Sequence, residues 1–252
     1  MSAVPLWRRT LAELFGTGAL VALVVGSGIM AATLSSDDVG LQLLENSIAT
    51  GLGLCVLIVL LGPVSGAHLN PVVTLVLAMR QRTDPVDVPA YIGAQIVGGV
   101  GGCALANVMF QLPAFAASTT VRSGLPLLLA EVVATSGLVA VILGLLWQGQ
   151  SSWIPPMVGA YILAAYWFTA STSFANPAVT VGRAFSDTFA GIAPASVPPF
   201  VGAQFVGGAL GLGVAVLLFT GGALDDDRPA AATPSQAAGM DGALPEATLD
   251  PS

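Results

Sequence analysis

Two short boxes of asparagine and proline are the residues of this chain whose chemistry points most directly to a function. Asn70-Pro71-Val72 and Asn176-Pro177-Ala178 each lie within a short apolar run. Asparagine is a strong N-cap and proline is favoured in the first helical turn, so the boxes predict short helices over 70–80 and 176–186. Helix N-termini carry positive partial charge, and asparagine amides donate hydrogen bonds. The boxes therefore favour contact with a polar, uncharged molecule and repulsion of cations.

Glu13, Glu131 and His68 are further candidate functional residues. The two glutamates lie well inside apolar runs, where a charged side chain normally faces the protein interior and has a partner. They could form a proton relay. Alternatively, they could brace the segments before the boxes by accepting hydrogen bonds from backbone amides, and their symmetric pairing with the two boxes favours this role. His68 is expected to be a structural loop residue.

Several classes of function lack the residues that they need. One histidine and two cysteines, Cys55 and Cys103, cannot supply the usual multi-ligand metal sites. The sequence has no glycine-rich phosphate loop followed by lysine. It also has no nucleophile–base–acid set for an enzyme and no basic face for nucleic acid. We therefore expect no enzymatic activity, no cofactor and no nucleic-acid partner.

The composition predicts the elements that must position these residues. Of the 252 residues, 55% are hydrophobic and 8% are charged, whereas globular domains have about 25% charged residues. The long uncharged runs exceed the ~20 residues that a helix needs to cross a bilayer. We predict an all-α membrane protein with six spans, at about 11–34, 41–61, 87–110, 125–147, 154–170 and 198–220. The runs 65–79 and 171–186 are too short to cross.

An internal repeat organises the chain into halves at about 11–110 and 125–220. The segment from Leu11 to Thr17 matches that from Leu129 to Thr135 at an offset of 118 residues. The two boxes match at an offset of 106, and Gly93-Ala94-Gln95 matches Gly202-Ala203-Gln204 at 109. Three spans per half force the second half to lie inverted. The short helices then enter from opposite faces and meet near the midplane, where non-helical backbone is tolerated if it lines a cavity.

The distribution of charged residues predicts the membrane orientation of the channel domain, 11–221, and the character of the segments before and after it. Cytoplasmic loops carry the excess of arginine. One side of the six-span topology would have five arginines, Arg8, Arg9, Arg80, Arg82 and Arg228, and the other side two, Arg122 and Arg183. We therefore expect residues 1–10 and the C-terminus to be cytoplasmic, at the cell inner (plasma) membrane. Residues 222–252 carry −5 of the net charge of −7 and are expected to be a disordered acidic tail.

The paired boxes resemble those of the aquaporin, or major intrinsic protein, family. Ser65-Gly66-Ala67-His68-Leu69 before the first box, and a glutamate at the head of spans one and four, are similar as well. The resemblance covers residues 10–220. It implies six tilted helices and two re-entrant half-helices around a pore, and four such subunits in a homotetramer. It also implies passive conduction of water, glycerol or other small neutral solutes across the lipid bilayer.

The resemblance further implies a filter of four residues, and here the sequence departs from the family. Carried over by spacing from the boxes, the filter positions are Thr50, Ala164, Ser173 and Val179. Water-selective members usually have a large aromatic residue, a histidine and an arginine at these positions, and glycerol-conducting members keep the arginine. This chain has Val179 at the arginine position, which predicts a wide opening. Arg183 lies one turn beyond it and could be a displaced filter cation or could pair with Asp187.

These residues predict a passive channel for glycerol-like polyols and water. Arsenite-type metalloid hydroxides are a further hypothesis, because bacterial members that lack the arginine and resemble this chain conduct them. A water-selective channel is one alternative. A proton-coupled secondary transporter is another, since inverted repeats with broken helices also serve coupled transport. Such a transporter would need titratable groups near the midplane, and Glu13 and Glu131 are the candidates.

Overall fold

The computed structural model describes residues 4–80 and 82–219, and this part of the chain consists of helices and connecting loops. The predicted acidic tail, 222–252 with Arg228, lies outside the described residues. Eight α-helices follow one another: α1 (Leu6–Leu34), α2 (Val39–Ser65), α3 (Pro71–Met79), α4 (Val88–Met109), α5 (Leu125–Trp147), α6 (Ile154–Phe168), α7 (Pro177–Arg183) and α8 (Val197–Phe219).

Five of these helices are long and apolar enough to cross a membrane: α1, α2, α4 with its preceding 3-10 turn, α5, and α8 with its preceding 3-10 turn. The sixth predicted span is α6, which has 15 residues. Pro155 and Pro156 fix its start directly after the 3-10 turn Ser151–Trp153. Turn and helix together reach about 28 Å, close to the thickness of the hydrocarbon. The first helix begins at Leu6, earlier than the predicted residue 11.

The predicted half-helices are present as α3 and α7. The Asn70 side chain accepts a hydrogen bond from the Val72 amide at 2.9 Å. The Asn176 side chain accepts from Ala178 at 2.9 Å and from Val179 at 3.3 Å. Each helix has proline in its first turn. The boxes therefore start helices for the reason that the sequence suggests, which is that the side-chain oxygen satisfies amides that have no partner inside the helix.

The two halves pack in the same way. Helix α1 lies against α4 and, in the second half, α5 lies against α8, while α2 and α6 join the halves. Gly102 closely approaches the carbonyl of Gly18, and Gly211 likewise approaches the carbonyl of Ser136. These two contacts are related by the offsets of the sequence repeat. Gly98 and Gly207 lie likewise against the carbonyls of Leu14 and Val132, so small residues permit close helix packing in both halves.

Substitution of Gly102 tests this packing. A Cβ added there would collide with the backbone of Gly18, whereas a Cβ at the neighbouring Gly101 would meet nothing within 4 Å. We expect Gly102→Ala to lower the free energy of unfolding by about 1–3 kcal/mol, because α1 and α4 must separate. Gly101→Ala is the matched control and should leave stability unchanged or slightly raised. Thermal unfolding in detergent measures both variants, and equal melting temperatures would contradict the close packing.

Candidate functional site

The two re-entrant loops are tied to each other at the box asparagines. The Nδ2 atom of Asn70 donates to the carbonyl of Ala175 at 2.8 Å, and that of Asn176 donates to the carbonyl of Leu69 at 2.7 Å. Both asparagines also line one and the same cavity. Because each amide has two hydrogens and one is used in this cross-brace, one N–H per asparagine is left for a molecule in the cavity.

Both loops contain backbone that sequence reasoning did not predict. Ala67 and Leu69 in the first loop have φ of 47° and 49°, and Ser173 and Ala175 in the second have φ of 50° and 47°. The pairs are related by the 106-residue offset of the boxes. Left-handed backbone at non-glycine residues costs of order 1 kcal/mol each and persists only where the surroundings impose it. None of these residues is glycine or asparagine, so no local sequence signal marks the conformation.

Glu13 braces the first loop. It is fully buried, and its carboxylate accepts hydrogen bonds from the Ser65 hydroxyl at 2.6 Å and the Gln95 amide at 2.8 Å. It also accepts from the backbone N–H groups of His68 at 2.9 Å and Leu69 at 2.7 Å. Four donors around one carboxylate satisfy both of its oxygens and the loop amides together. The bracing role predicted for Glu13 is the one that this geometry favours.

Glu131 braces the second loop in the same way. It is also fully buried and accepts from the backbone N–H groups of Phe174 and Ala175, both at 2.9 Å. The Gln204 side chain donates to it at 2.6 Å. The predicted symmetry of the two glutamates therefore extends to their donors, and each carboxylate is engaged by its loop.

In each half, a glutamine and a threonine extend the hydrogen-bond network from the glutamate to the box asparagine. Gln95 also donates to the Thr74 hydroxyl at 2.9 Å, and Gln204 donates to the Thr180 hydroxyl at 2.8 Å. Each threonine in turn donates to the carbonyl of the box asparagine, at 3.0 Å and 2.8 Å. His68 joins this network through its Nδ1, which lies 3.1 Å from the Thr74 hydroxyl. Its backbone and side chain are both engaged, as expected of a structural loop residue.

A cavity of about 300 Å³ passes between the loops. Its lining extends from Arg82 and Leu146, past both box asparagines, to Phe174 and Arg183. These residues come from both re-entrant segments and from helices of both halves. The cavity is therefore enclosed jointly by both halves, at the level where the two box asparagines meet.

Three of the four predicted filter residues line this cavity: Thr50, Ser173 and Val179. All three are buried. The hydroxyl of Ser173 is buried without a hydrogen-bond partner among the described residues. These positions therefore present one engaged hydroxyl, one free hydroxyl and an apolar side chain to the cavity.

The structure does not bring Ala164 to the cavity. Ala164 is exposed on the outer side of α6, whereas Tyr166 lines the cavity and donates to the Thr50 hydroxyl at 3.2 Å. Residues that are two positions apart on an α-helix are separated by about 200° of rotation. An assignment that is wrong by two residues therefore falls on the opposite face of the helix. The missed signal was periodicity, since the cavity-lining residues of this helix recur every four positions: Ile154, Val158, Ile162 and Tyr166.

Arg183 lines the cavity and does not pair with Asp187. Its guanidinium lies over the Phe174 ring at 3.4 Å, and its Nε donates to the carbonyl of Ala190 at 2.5 Å. The Asp187 carboxylate is exposed and instead accepts from the amide and hydroxyl of Thr119, which holds the pKa of Asp187 below its usual range. Of the two roles that the sequence left open for Arg183, the geometry favours a cation at the cavity.

Comparison with known protein families identifies the family of this chain. The family model described as major intrinsic protein matches residues 1–169. The chain belongs to the major intrinsic protein family. It is 52% identical over 213 residues to aquaglyceroporin AqpS of Rhizobium meliloti (strain 1021), a match that covers 84% of this chain and 90% of that protein. It is 32% identical over 209 residues to aquaporin NIP1-1 of Zea mays, covering 80% and 73%.

A solved structure supports the same fold. The X-ray structure of the aquaglyceroporin from Plasmodium falciparum matches with a TM-score of 0.64 and 22% identity, covering 83% of this chain and 95% of that one. Family membership and this match confirm an all-helical membrane channel protein of the major intrinsic protein fold. Members of this family are channels and not enzymes.

The carboxylate of Glu131 can be tested by a nearly isosteric change. In Glu131→Gln, one acceptor oxygen becomes an amide that cannot accept from the donors around it. We expect the free energy of unfolding to fall by about 1–3 kcal/mol, the usual cost of leaving a buried donor unsatisfied. Glu45→Gln is the control, because Glu45 is only partly buried and accepts from the Ser35 hydroxyl alone. Thermal unfolding of the two variants should differ, and an unaffected Glu131→Gln would argue against the bracing role.

Proposed function

We propose that this chain is a passive channel for small uncharged solutes, namely glycerol-like polyols and water. The observation that carries the proposal is the cavity itself, which passes two inverted half-helix N-termini and is lined at its predicted filter by Val179 in place of an arginine. A valine neither blocks the opening with a long side chain nor fixes a charge at its wall. Family membership and the resemblance to proteins named aquaglyceroporins support the same substrate class.

The filter lining suits a polyol. The hydroxyls of Thr50 and Ser173 offer hydrogen bonds, and the buried Ser173 hydroxyl has no partner among the described residues that a solute would need to displace. Val179 provides an apolar wall for the carbon skeleton. Tyr166 replaces the predicted Ala164 at this level, so the opening has an aromatic wall and is narrower than the sequence alone suggested.

Metalloid hydroxides are included in the proposed substrate class by their chemistry. Undissociated arsenite is a neutral trihydroxyl molecule of about the size of glycerol, so the hydroxyls and the apolar wall that suit glycerol would suit it too. This extension depends on the arginine-free filter and requires its own measurement.

The alternatives have less support. A water-selective channel would need a tighter and more polar constriction than Val179, Ser173 and Thr50 provide. A proton-coupled transporter would need a titrating group in the path, but both buried glutamates are occupied as acceptors for the loops. Solute uptake that saturates at low concentration and collapses with the proton gradient would favour the transporter.

We also propose a setting for the channel. The chain is a multi-pass membrane protein, and we place it in the cell inner (plasma) membrane with both termini cytoplasmic because of the arginine bias. The Arg9–Asp87 ion pair supports a common side for the starts of α1 and α4. Assembly as a homotetramer is proposed from family membership.

Stopped-flow light scattering on proteoliposomes tests the function. We expect vesicles with the full-length protein to pass water and glycerol faster than empty vesicles, with flux proportional to the concentration gradient. Arsenite uptake is measured in the same vesicles. Glycerol permeability equal to that of empty vesicles would contradict the proposal, and water permeability alone would favour the water-selective alternative.

Restoring the family arginine tests the position of the filter. In Val179→Arg, a long charged side chain enters the constriction, so we expect glycerol flux to fall more than water flux. Val181→Arg is the control, because Val181 is on the same short helix but does not line the cavity. If glycerol flux in Val179→Arg were unchanged while the protein folds, the constriction would lie elsewhere.

A further inference from the structure

Arg183 is a buried cation without an acidic partner. It is 3% exposed, and the one ion pair among residues 4–80 and 82–219 is that of Arg9 with Asp87. Glu131, whose charge acts on Arg183, accepts the loop amides, and Asp187, four residues along the chain, accepts from Thr119. An unpaired charge away from water is costly, so a buried arginine in this state normally has a counter-ion or a solvated face.

The donors of Arg183 are only partly used. Its Nε donates to the carbonyl of Ala190, and this is the sole hydrogen bond that the guanidinium makes among the described residues. A guanidinium has five N–H donors in a planar fork, so the four on its terminal nitrogens remain available. Arg183 lines the cavity, and the unpartnered hydroxyl of Ser173 lines it too.

A second arginine reinforces the positive potential at this end of the pore. Arg122 lies over the same Phe174 ring, with its Cζ 5.1 Å from the centroid. Its Nε donates to the carbonyl of Gly191 at 2.9 Å, next to the carbonyl that holds Arg183. Phe174 is 4% exposed and is itself packed edge-on against Phe200, so it is a fixed support for both cations.

We propose that Arg183, with Phe174 and Arg122 behind it, binds a small oxyanion at the mouth of the pore opposite Arg82. The planar fork of a guanidinium matches two oxygens of a carboxylate or phosphate. Such an anion would occupy the entrance that neutral solutes use and slow their passage. This inference rests on the proposed channel function for its effect on flux, but not for the binding itself.

The binding is tested first without transport. The probe is inorganic phosphate, added to the purified full-length protein in detergent at constant ionic strength set with chloride. A ligand that binds the folded state raises its melting temperature. We expect phosphate to raise the melting temperature of the wild type and of Arg80→Gln but not of Arg183→Gln. Arg80 is the matched control because it also lies over an aromatic ring, that of Trp147, but is exposed and outside the cavity lining.

The effect on transport is tested second, in proteoliposomes. Phosphate should inhibit glycerol flux through the wild type, and Arg183→Gln should raise the half-inhibitory concentration at least about tenfold, the usual effect of removing a hydrogen-bonded charge. Equal melting shifts in the wild type and Arg183→Gln would overturn the site. A melting shift without inhibition would refute the block at the entrance, and an absence of any glycerol flux would refute the channel function while leaving the binding result standing.

A second variant keeps the test decisive if Arg183→Gln does not fold. Arg183→Lys retains the charge but loses the planar pair of donors, so phosphate should stabilise it less than the wild type. Phosphate stabilisation equal to that of the wild type would show that the guanidinium does not hold the anion.

Discussion

The backbone amides of the two re-entrant loops lie where hydrocarbon offers no hydrogen-bond acceptor, and two buried glutamates accept them. Glu13 takes the amides of His68 and Leu69, and Glu131 takes those of Phe174 and Ala175. Irregular backbone at membrane depth is tolerated only when its polar groups are satisfied by the protein or by a cavity. The two carboxylates meet that constraint, and they thereby free the carbonyl side of each loop for the asparagine cross-brace and the pore.

The left-handed backbone of the loops follows from the same constraint. The left-handed residues of each loop let amides turn to the glutamate while carbonyls turn the other way. Leu69 and Ala175, both left-handed, give an amide to a glutamate and a carbonyl to the opposite asparagine. The halves themselves meet closely where α2 and α6 pack, because Gly51 and Gly159 lie against each other's carbonyls. Tight packing, buried charge and strained backbone thus support one another.

Sequence reasoning could predict what repeats and what is periodic. The boxes, the glutamates and the Gly-Ala-Gln segments were visible because each occurs twice at nearly the same offset, and inversion follows from three spans per half. The filter residue on α6 was placed at Ala164 because its spacing from the second box was carried over from the family across a loop. An error of two residues in that spacing moves the assignment to the opposite face of the helix. The partner of Arg183 could not be predicted either. Phe174 comes from another segment. Asp187 lies four residues after Arg183 in the sequence, which suggested an ion pair, but the two side chains are not paired.

In the family that this chain resembles, one filter arginine has two roles, one electrostatic and one steric. The position of Arg183 separates these two roles. A charge at the filter both repels cations and narrows the opening. The steric effect is short-ranged and disappears when the side chain is moved, whereas Coulomb repulsion decays slowly in a low dielectric. Val179 and Arg183 are about 6 Å apart along the helix axis. In the proposed filter, a cation at that distance still opposes the entry of cations, while valine leaves the opening free for a polyol. This arrangement explains how a channel can admit larger neutral solutes and still retain a positive entrance.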